Sequence, residues 1–414
     1  MINRSIVIGL IIVVIQMMTM IESKDMKKRQ ALEIVSTGIN QFSMELYERL
    51  VSDGNKNNMI FSPLSVWMVL SMASLGSQGK TKSQLTNVLH LNDDKKIQNI
   101  GAKTLVEKLN ALNNVELKII NKVFLDKNLE LKKDYKNITK SIFKSTVDKI
   151  DFSNSINATN IINKWIQENT KSRIQEIIGS DELSKDTSLI LVNAVYFKGQ
   201  WKNKFDNSST NSEPFYLDDG EIKNVSMMHT EGNFKIGYLP EADAEFIELP
   251  YASDNNSNAM SMIVMIPKNN TNLGLIERSL KNIKISRLLS GKMTEISLSL
   301  PKFTIESKVN LVAPLMDLGL TDMFDESANF SDIVNAPVKV SKVVQKAFIE
   351  VNEEGSEASA ATEFEIENRF GQEYIPPYVI KINHPFMMII IKKKLQIFTA
   401  RIFDPAINTE KKNN

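Results

Sequence analysis

The chain has 414 residues, 42% hydrophobic and 24% charged, enough apolar mass for a large core. Its net charge of +1 gives no bulk attraction to nucleic acid or to an acidic membrane surface. It contains no cysteine, which excludes disulfides, thiolate metal sites and a cysteine nucleophile.

At the N-terminus, Arg4 precedes an apolar stretch from Ser5 to Ile21, followed by the charged run ESKDMKKR. This order reads as a secretory signal peptide over residues 1–22, cut near Glu22 or Ser23. An uncleaved anchor is the alternative, because about 17–25 apolar residues span a bilayer. Entry into the secretory pathway would make glycosylation candidates of the sequons at Asn137, Asn157, Asn207, Asn224, Asn255, Asn269 and Asn329.

Beyond the leader, Leu32, Val35, Ile39, Phe42, Leu46 and Leu50 recur every three or four residues and predict one apolar helix face. A second helix is expected through SPLSVWMVLSMASLG, ending at Gly76. Thr81 and Gln84 fit a capping box opening a third. NATNIINKWIQENTKSRIQEII predicts a further amphipathic helix. From about residue 187 the pattern turns to strands: SLILVNAVYFK, AMSMIVMIPK, EISLSLPKFTIES, KVSKVVQKAFIEV and PFMMIIIKKKLQIFTARIF. LDDGEI reads as a hairpin turn. With no low-complexity linker and no internal repeat, residues 23–414 are expected to form one large mixed α+β domain.

Catalytic motifs fail on inspection. SLGSQGKT has Ser74 where a phosphate loop needs its first glycine, and it follows a helix rather than a strand. The three histidines, His90, His229 and His384, have no His or Cys partner at metal-ligand spacing. There is no Gly-x-Ser-x-Gly elbow. No cofactor is expected, and the protein is not read as an enzyme.

The stretch EEGSEASAATEFEIENRF, residues 353–370, is patterned like a strand yet lacks the apolar mass of a core strand. Together with NMIFSPLSVWMVLSMASLGSQGKT, LVNAVYFKGQWKNKFD, LSLPKFTIES, LGLTDMF, ANFSDI and NHPFMMIII, in that order along the chain, it resembles the serpins. The resemblance implies a serpin fold: α+β, a single domain with several helices around three β-sheets and an exposed reactive-centre loop at about residues 353–378. It implies a suicide-substrate inhibitor, whose cleaved loop enters the main sheet before the acyl-enzyme is hydrolysed. Insertion of this kind adds a strand to the sheet and releases stored strain.

The loop residues suit that role. One register holds Ser356, Ala358, Ala360, Thr362, Phe364, Ile366 and Asn368; the other holds Glu357, Ser359, Ala361, Glu363, Glu365, Glu367 and Arg369. The first is small or apolar and the second mostly charged, so the segment is already written as an amphipathic strand. By resemblance, Glu353, Glu354, Gly355, Ser356, Glu357, Ala358, Ser359, Ala360, Ala361 and Thr362 form the hinge, and from Ser356 to Thr362 only Glu357, on the outward register, breaks the run of small residues. The family's spacing of fourteen residues from the hinge glycine makes Arg369–Phe370 the reactive bond. Arg369 is also the only basic residue between Lys346 and Lys381. Arginine there suits a trypsin-like protease, whose specificity pocket ends in a carboxylate. The segment from Phe370 to Ile382 is longer than in many relatives, so Tyr374 and a chymotrypsin-like target remain the alternative, with a non-inhibitory carrier, chaperone or storage serpin as the other. The resemblance further places Ser62, Ser65, Asn193 and Gln345 beneath the opening sheet, Trp201 at its top, and Lys302 with Glu353 in an ion pair. A glycosaminoglycan partner has only Lys95, Lys96, Lys103 and Lys108 to support it, diluted by Asp93, Asp94 and Glu107; a solvated helix face is the preferred reading. No nucleic acid or stable membrane association is expected, and the protein is read as a secreted monomer.

Overall fold

The computed structural model describes residues 4–52, 54–112, 115–253, 259–268, 273–354 and 376–407. The positions proposed for the hinge from Gly355 onward, for the reactive bond and for Tyr374 lie outside them, as do Asn255 and Asn269.

Helices lead the chain. They are α1 (Arg4–Leu50), α2 (Pro63–Leu75), α3 (Gly79–Val88), α4 (Lys95–Asn110), α5 (Lys133–Phe143) and α6 (Ser155–Asn169), with α7 (Leu273–Ser279), α8 (Ile285–Leu288) and α9 (Val312–Asp317) later. The apolar face predicted for α1 packs on the core, with Val35, Ile39, Phe42 and Leu46 buried. Helix α4 crosses α1 closely at Gly101, where a Cβ would sit 2.4 Å from the Ala31 carbonyl oxygen. Helix α2 is apolar on every side and buried on every side, as a helix enclosed by other elements must be. Ser62 caps it, Pro63 occupies its first turn, and it ends at Gly76. Among the described residues no helix is long and apolar enough to cross a membrane.

Two local expectations fail. The Thr81–Gln84 capping box does not form: α3 starts at Gly79, so Thr81 lies inside it, buried, with Oγ1 accepting from the Asn329 amide (3.0 Å). Gln84 instead donates to Thr321 and Asp322. The helix predicted to run to Ile178 stops at Asn169. Asn163 Oδ1 accepts from the Ile177 amide (2.9 Å) and its Nδ2 donates to the Ile178 carbonyl (2.9 Å). Lys171 and Ser172 turn left-handed, with φ of 51° and 60°. The chain therefore folds back along its own helix as a strap.

The strands are β1 (Met59–Phe61), β2 (Val115–Asp126), β3 (Val147–Ile150), β4 (Leu189–Gly199), β5 (Asn211–Tyr216), β6 (Ile222–Leu239), β7 (Ala244–Pro250), β8 (Met260–Pro267), β9 (Lys292–Pro301), β10 (Phe303–Asn310), β11 (Val340–Val351), β12 (Tyr378–Lys381), β13 (Phe386–Lys392) and β14 (Leu395–Ile402). The LDDGEI turn joins β5 to β6, with Gly220 at φ +88°, a backbone region that favours glycine. The described strands form two hydrogen-bonded sheets rather than three separate ones. The eighteen-residue β6 pairs with β5, β7 and β9 along its length, so strands that could form separate sheets share one nine-stranded array. The second sheet has the order β10-β11-β4-β2-β3. The predicted run from Glu295 to Ser307 changes sheet at Lys302, with β9 in the first array and β10 in the second.

The five-stranded sheet is buried on both faces. Leu191, Val195, Phe197, Val343 and Ile349 join the main core, in which α2 also lies. Ile190, Val192, Tyr196, Val344 and Phe348 join a second core under α6, with Ile162 and Ile166. That is why β4 reads as a nearly continuous apolar run rather than an alternating one.

Candidate functional site

Strands β11 and β4 lie side by side in parallel, from Val340 opposite Leu189 to Ile349 opposite Phe197. The other pairs they make, β10–β11 and β2–β4, are antiparallel. Asn193 interrupts the apolar run of β4 on its core-facing side. In register it stands between Gln345 on β11 and Asn121 on β2, so three side-chain amides form a row across three strands.

This row is fully engaged. Asn193 Nδ2 donates to Asn121 Oδ1 (2.5 Å), and its Oδ1 accepts from Ser65 Oγ (2.7 Å) and from Gln345 Nε2. Gln345 Oε1 accepts from the Ser62 amide (2.7 Å), while its Nε2 also reaches the Ser62 carbonyl (3.0 Å) and Ser65 Oγ (2.9 Å). Ser62 Oγ donates to the Ile397 carbonyl of β14 (2.7 Å). Thus the first turn of α2 is tied at once to the seam between β4 and β11 and to the other sheet. Ser62, Ser65, Asn193 and Gln345 are each at most 1% exposed, so every partner removed would take a bond from a buried polar group. Glutamine donates and accepts here without titrating.

A second polar cluster holds the end of β11. Trp201 Nε1 donates to the Asn352 carbonyl (2.8 Å), and its ring stacks on Tyr251 at 4.7 Å. The Phe205 amide donates to the Glu353 carbonyl (3.1 Å), and the Trp201 amide to that of Glu354 (3.4 Å). The Glu353 carboxylate accepts from Lys302 Nζ (2.9 Å), at the point where the chain changes sheets, and from Thr210 Oγ1 (2.9 Å). Burial pushes the Glu353 pKa up, but hydrogen bonds from its own backbone, Lys302 and Thr210, with the Lys302 charge, hold it below the ordinary glutamate value.

On the far side of residues 355–375, β12 pairs in parallel with β9. Tyr378 Oη donates to Glu245 (2.9 Å), and Lys381 pairs with Glu213 (2.5 Å), which also meets His229 Nε2 (2.7 Å). The segment is therefore bracketed by polar anchors. The lysines of α4 are exposed, as are Asn137, Asn157, Asn207, Asn224 and Asn329. His90 meets Glu45, and His384 meets the Pro267 carbonyl. Among the described residues no group of three or more His, Cys, Asp or Glu could hold a metal ion.

Sequence reasoning missed Asn121, Thr210 and Tyr251. A polar residue on the core-facing register of VELKIINKVFLD was the available signal for Asn121. The other two meet their partners only through tertiary folding.

The sequence model of the family described as Serpin (serine protease inhibitor) matches residues 37–405. Antichymotrypsin-2 of Bombyx mori is 33% identical over 376 residues, covering 90% of this chain and 98% of that protein. Antitrypsin of the same species is 34% identical over 357 residues, covering 85% and 90%. The solved structure of Serpin48 from Tenebrio molitor superposes with a TM-score of 0.79 at 27% identity, covering 90% of this chain and 98% of that one. A sheet whose two middle strands run parallel, polar ties closing the seam between them, and full-length similarity all agree: the chain belongs to the serpin family of serine protease inhibitors.

Proposed function

We propose that the chain is a secreted suicide-substrate inhibitor of a trypsin-like serine protease, with Arg369–Phe370 as its bait bond. The protease serine attacks the Arg369 carbonyl carbon. The Arg369–Phe370 bond breaks, Phe370 leaves as a protonated amine, and Arg369 stays on the protease as an ester. Residues 356–369 then enter between β11 and β4 as a new strand.

The observation that carries this reading is the parallel seam. A chain leaving the end of β11 and turning back must run antiparallel to β11. Because β4 is parallel to β11, the same strand is antiparallel to both neighbours, the more stable pairing per residue. Fourteen residues extend about 46 Å at 3.3 Å per residue, enough to carry a tethered protease across the domain. The similarity to antitrypsin supports the protease class, while the near-equal identity to antichymotrypsin-2 keeps Tyr374 as the second reading.

Incubation with trypsin should give an adduct that survives SDS, and the small fragment released should begin at Phe370. A start after Tyr374 would move the bond to the second reading. Clean cleavage without an adduct would mean a non-inhibitory serpin. Ala358→Arg, which puts a bulky charge on the inward register, should turn adduct formation into simple cleavage. Secretion is tested by expression through the secretory pathway, with the mature N-terminus expected near Glu22 or Ser23.

A further inference from the structure

Helices α2, α3, α4 and α5 do not close completely on one another and leave a cavity of about 270 Å³ between them. That is just below the usual size of small-molecule sites, about 300–1,000 Å³, so an occupant has to be short. Leu75, Leu91, Ala102, Ile138 and Phe143 give it an apolar wall. Gln78, Asp93, Lys95 and Asp332 line it and are exposed, which puts its mouth in solvent. Two polar groups on its lining are poorly matched by the protein. Lys82 of α3 is half-buried, and its ammonium donates to the Ser74 carbonyl (2.5 Å) and to Ser74 Oγ (3.1 Å), both neutral oxygens. An ammonium has three donors, so one is left for a ligand. Burial and the neighbouring Lys95 charge push the Lys82 pKa below the ordinary lysine value, and Asp332 offsets only part of this. Ser71 of α2 is 4% exposed and lines the same cavity, yet its hydroxyl has no hydrogen-bond partner among the described residues. Buried hydroxyls are ordinarily bonded.

We infer that this cavity is a binding site for a small monocarboxylate with an apolar body, of the medium-chain fatty acid class, its head group on Lys82 and Ser71 and its tail against Ala102, Ile138 and Phe143. Ser71 and Ser74 stand three residues apart in α2 and share one face, with about 5–6 Å between such Cβ atoms. Lys82 is anchored on Ser74, so the two oxygens of one carboxylate span from its ammonium to the Ser71 hydroxyl, accepting from both. One negative charge suits the site better than two, because Asp93 and Asp332 stand at the mouth beside Lys95. An inorganic anion would leave the apolar wall uncovered. A neutral alcohol would leave the half-buried ammonium without a counter-charge. The site owes nothing to the reactive loop and is independent of the inhibitor reading.

The test titrates the full chain with sodium octanoate in a calorimeter, beside octanol and inorganic phosphate. Octanoate should bind as one molecule per chain, with octanol and phosphate each at least about tenfold weaker. Lys82→Met keeps the length of the side chain and removes its charge; it should weaken octanoate by at least about tenfold and leave octanol unchanged. Lys82→Arg should keep the preference for octanoate over octanol, and Ala102→Leu, which fills the cavity, should abolish binding of both. A merely structural lysine would shift the unfolding midpoint without separating octanoate from octanol. A chain-length series on the parent protein needs no variant: affinity should rise by up to about fourfold per methylene from butanoate to octanoate and stop rising beyond decanoate, where the cavity is full. Failure of octanoate to bind the parent overturns the site, as does undiminished binding by Lys82→Met. So does an affinity that climbs unbroken to tetradecanoate, the mark of adsorption to any apolar surface. No protease is present in these titrations, so the SDS-stable adduct decides the inhibitor reading separately.

Discussion

The two sheets of the molecule are closed by different forces. In the nine-stranded array the adjacent strands β13, β14 and β8 are wholly buried, with Ile389, Ile390, Ile263 and Val264 packed against one another's neighbours. These apolar side chains could not be exchanged for water without losing the hydrophobic stabilisation of a fully buried side chain, about 1.5–3 kcal/mol each. In the five-stranded sheet the middle seam is crossed by Asn121, Asn193, Gln345, Ser62 and Ser65, whose bonds can be remade with another strand's groups or with solvent. One sheet is closed by apolar packing, and the other carries a polar row across its middle seam, where the proposed strand would enter.

The largest expected effect breaks the closed sheet. Ile390→Ala should destabilise the protein by about 2–5 kcal/mol in denaturant titration, with no gain in self-association beyond that of the lost stability. Asn193→Ala should cost less, about 1–3 kcal/mol, because it removes one bond from each of Asn121, Ser65 and Gln345. Its signature differs: polymers should form faster on mild heating than for a variant of equal stability elsewhere. If the two variants polymerise alike at matched stability, the contrast between the sheets is wrong.

Glu353→Lys sets two cations together at the exit of β11 and should promote polymerisation through aberrant loop insertion, read as loss of monomer by size exclusion after warming. Unchanged monomer content would count against it. The same contact gives a pH expectation. Glu353 has its folded pKa depressed, so its stabilisation is fully present above the unfolded glutamate value near 4.5 and is lost as pH falls through the lower folded value. Glu182 behaves alike, with its window running from about 4.5 down to about 2. The smallest effect is expected for Thr210→Val, which removes one neutral donor to Glu353 and should cost about 0.5–1.5 kcal/mol in the same titration.

Much of the fold was legible because its signals are local. The apolar runs of β4, β8 and β11 announce buried strands, and the face from Val35 to Leu46 announces α1. Failures came where side chains chose distant partners over local ones. Thr81 and Gln84 have the spacing of a cap but serve Asn329 and Asp322. Asn163 pulls the chain off its helical path, although residues 170–178 keep helical periodicity. At the site, motif resemblance singled out Ser62, Ser65, Asn193, Trp201 and Gln345, and the structure joins Ser62, Ser65, Asn193 and Gln345 in one hydrogen-bonded network and Trp201 to the end of β11. That Asn121 completes the row depends on strand register, which no single segment encodes.

Gln345 has one further consequence. A histidine at this position would carry a group able to gain charge between about pH 5 and 8. Here the polar row at the seam is made of serine hydroxyls and carboxamides, and none ionises over that range. The carboxylate at the end of β11 answers to acid, whereas the middle of the same strand is deaf to it. The middle of this seam therefore holds no ionisable trigger, and acid reaches the strand's end through Glu353.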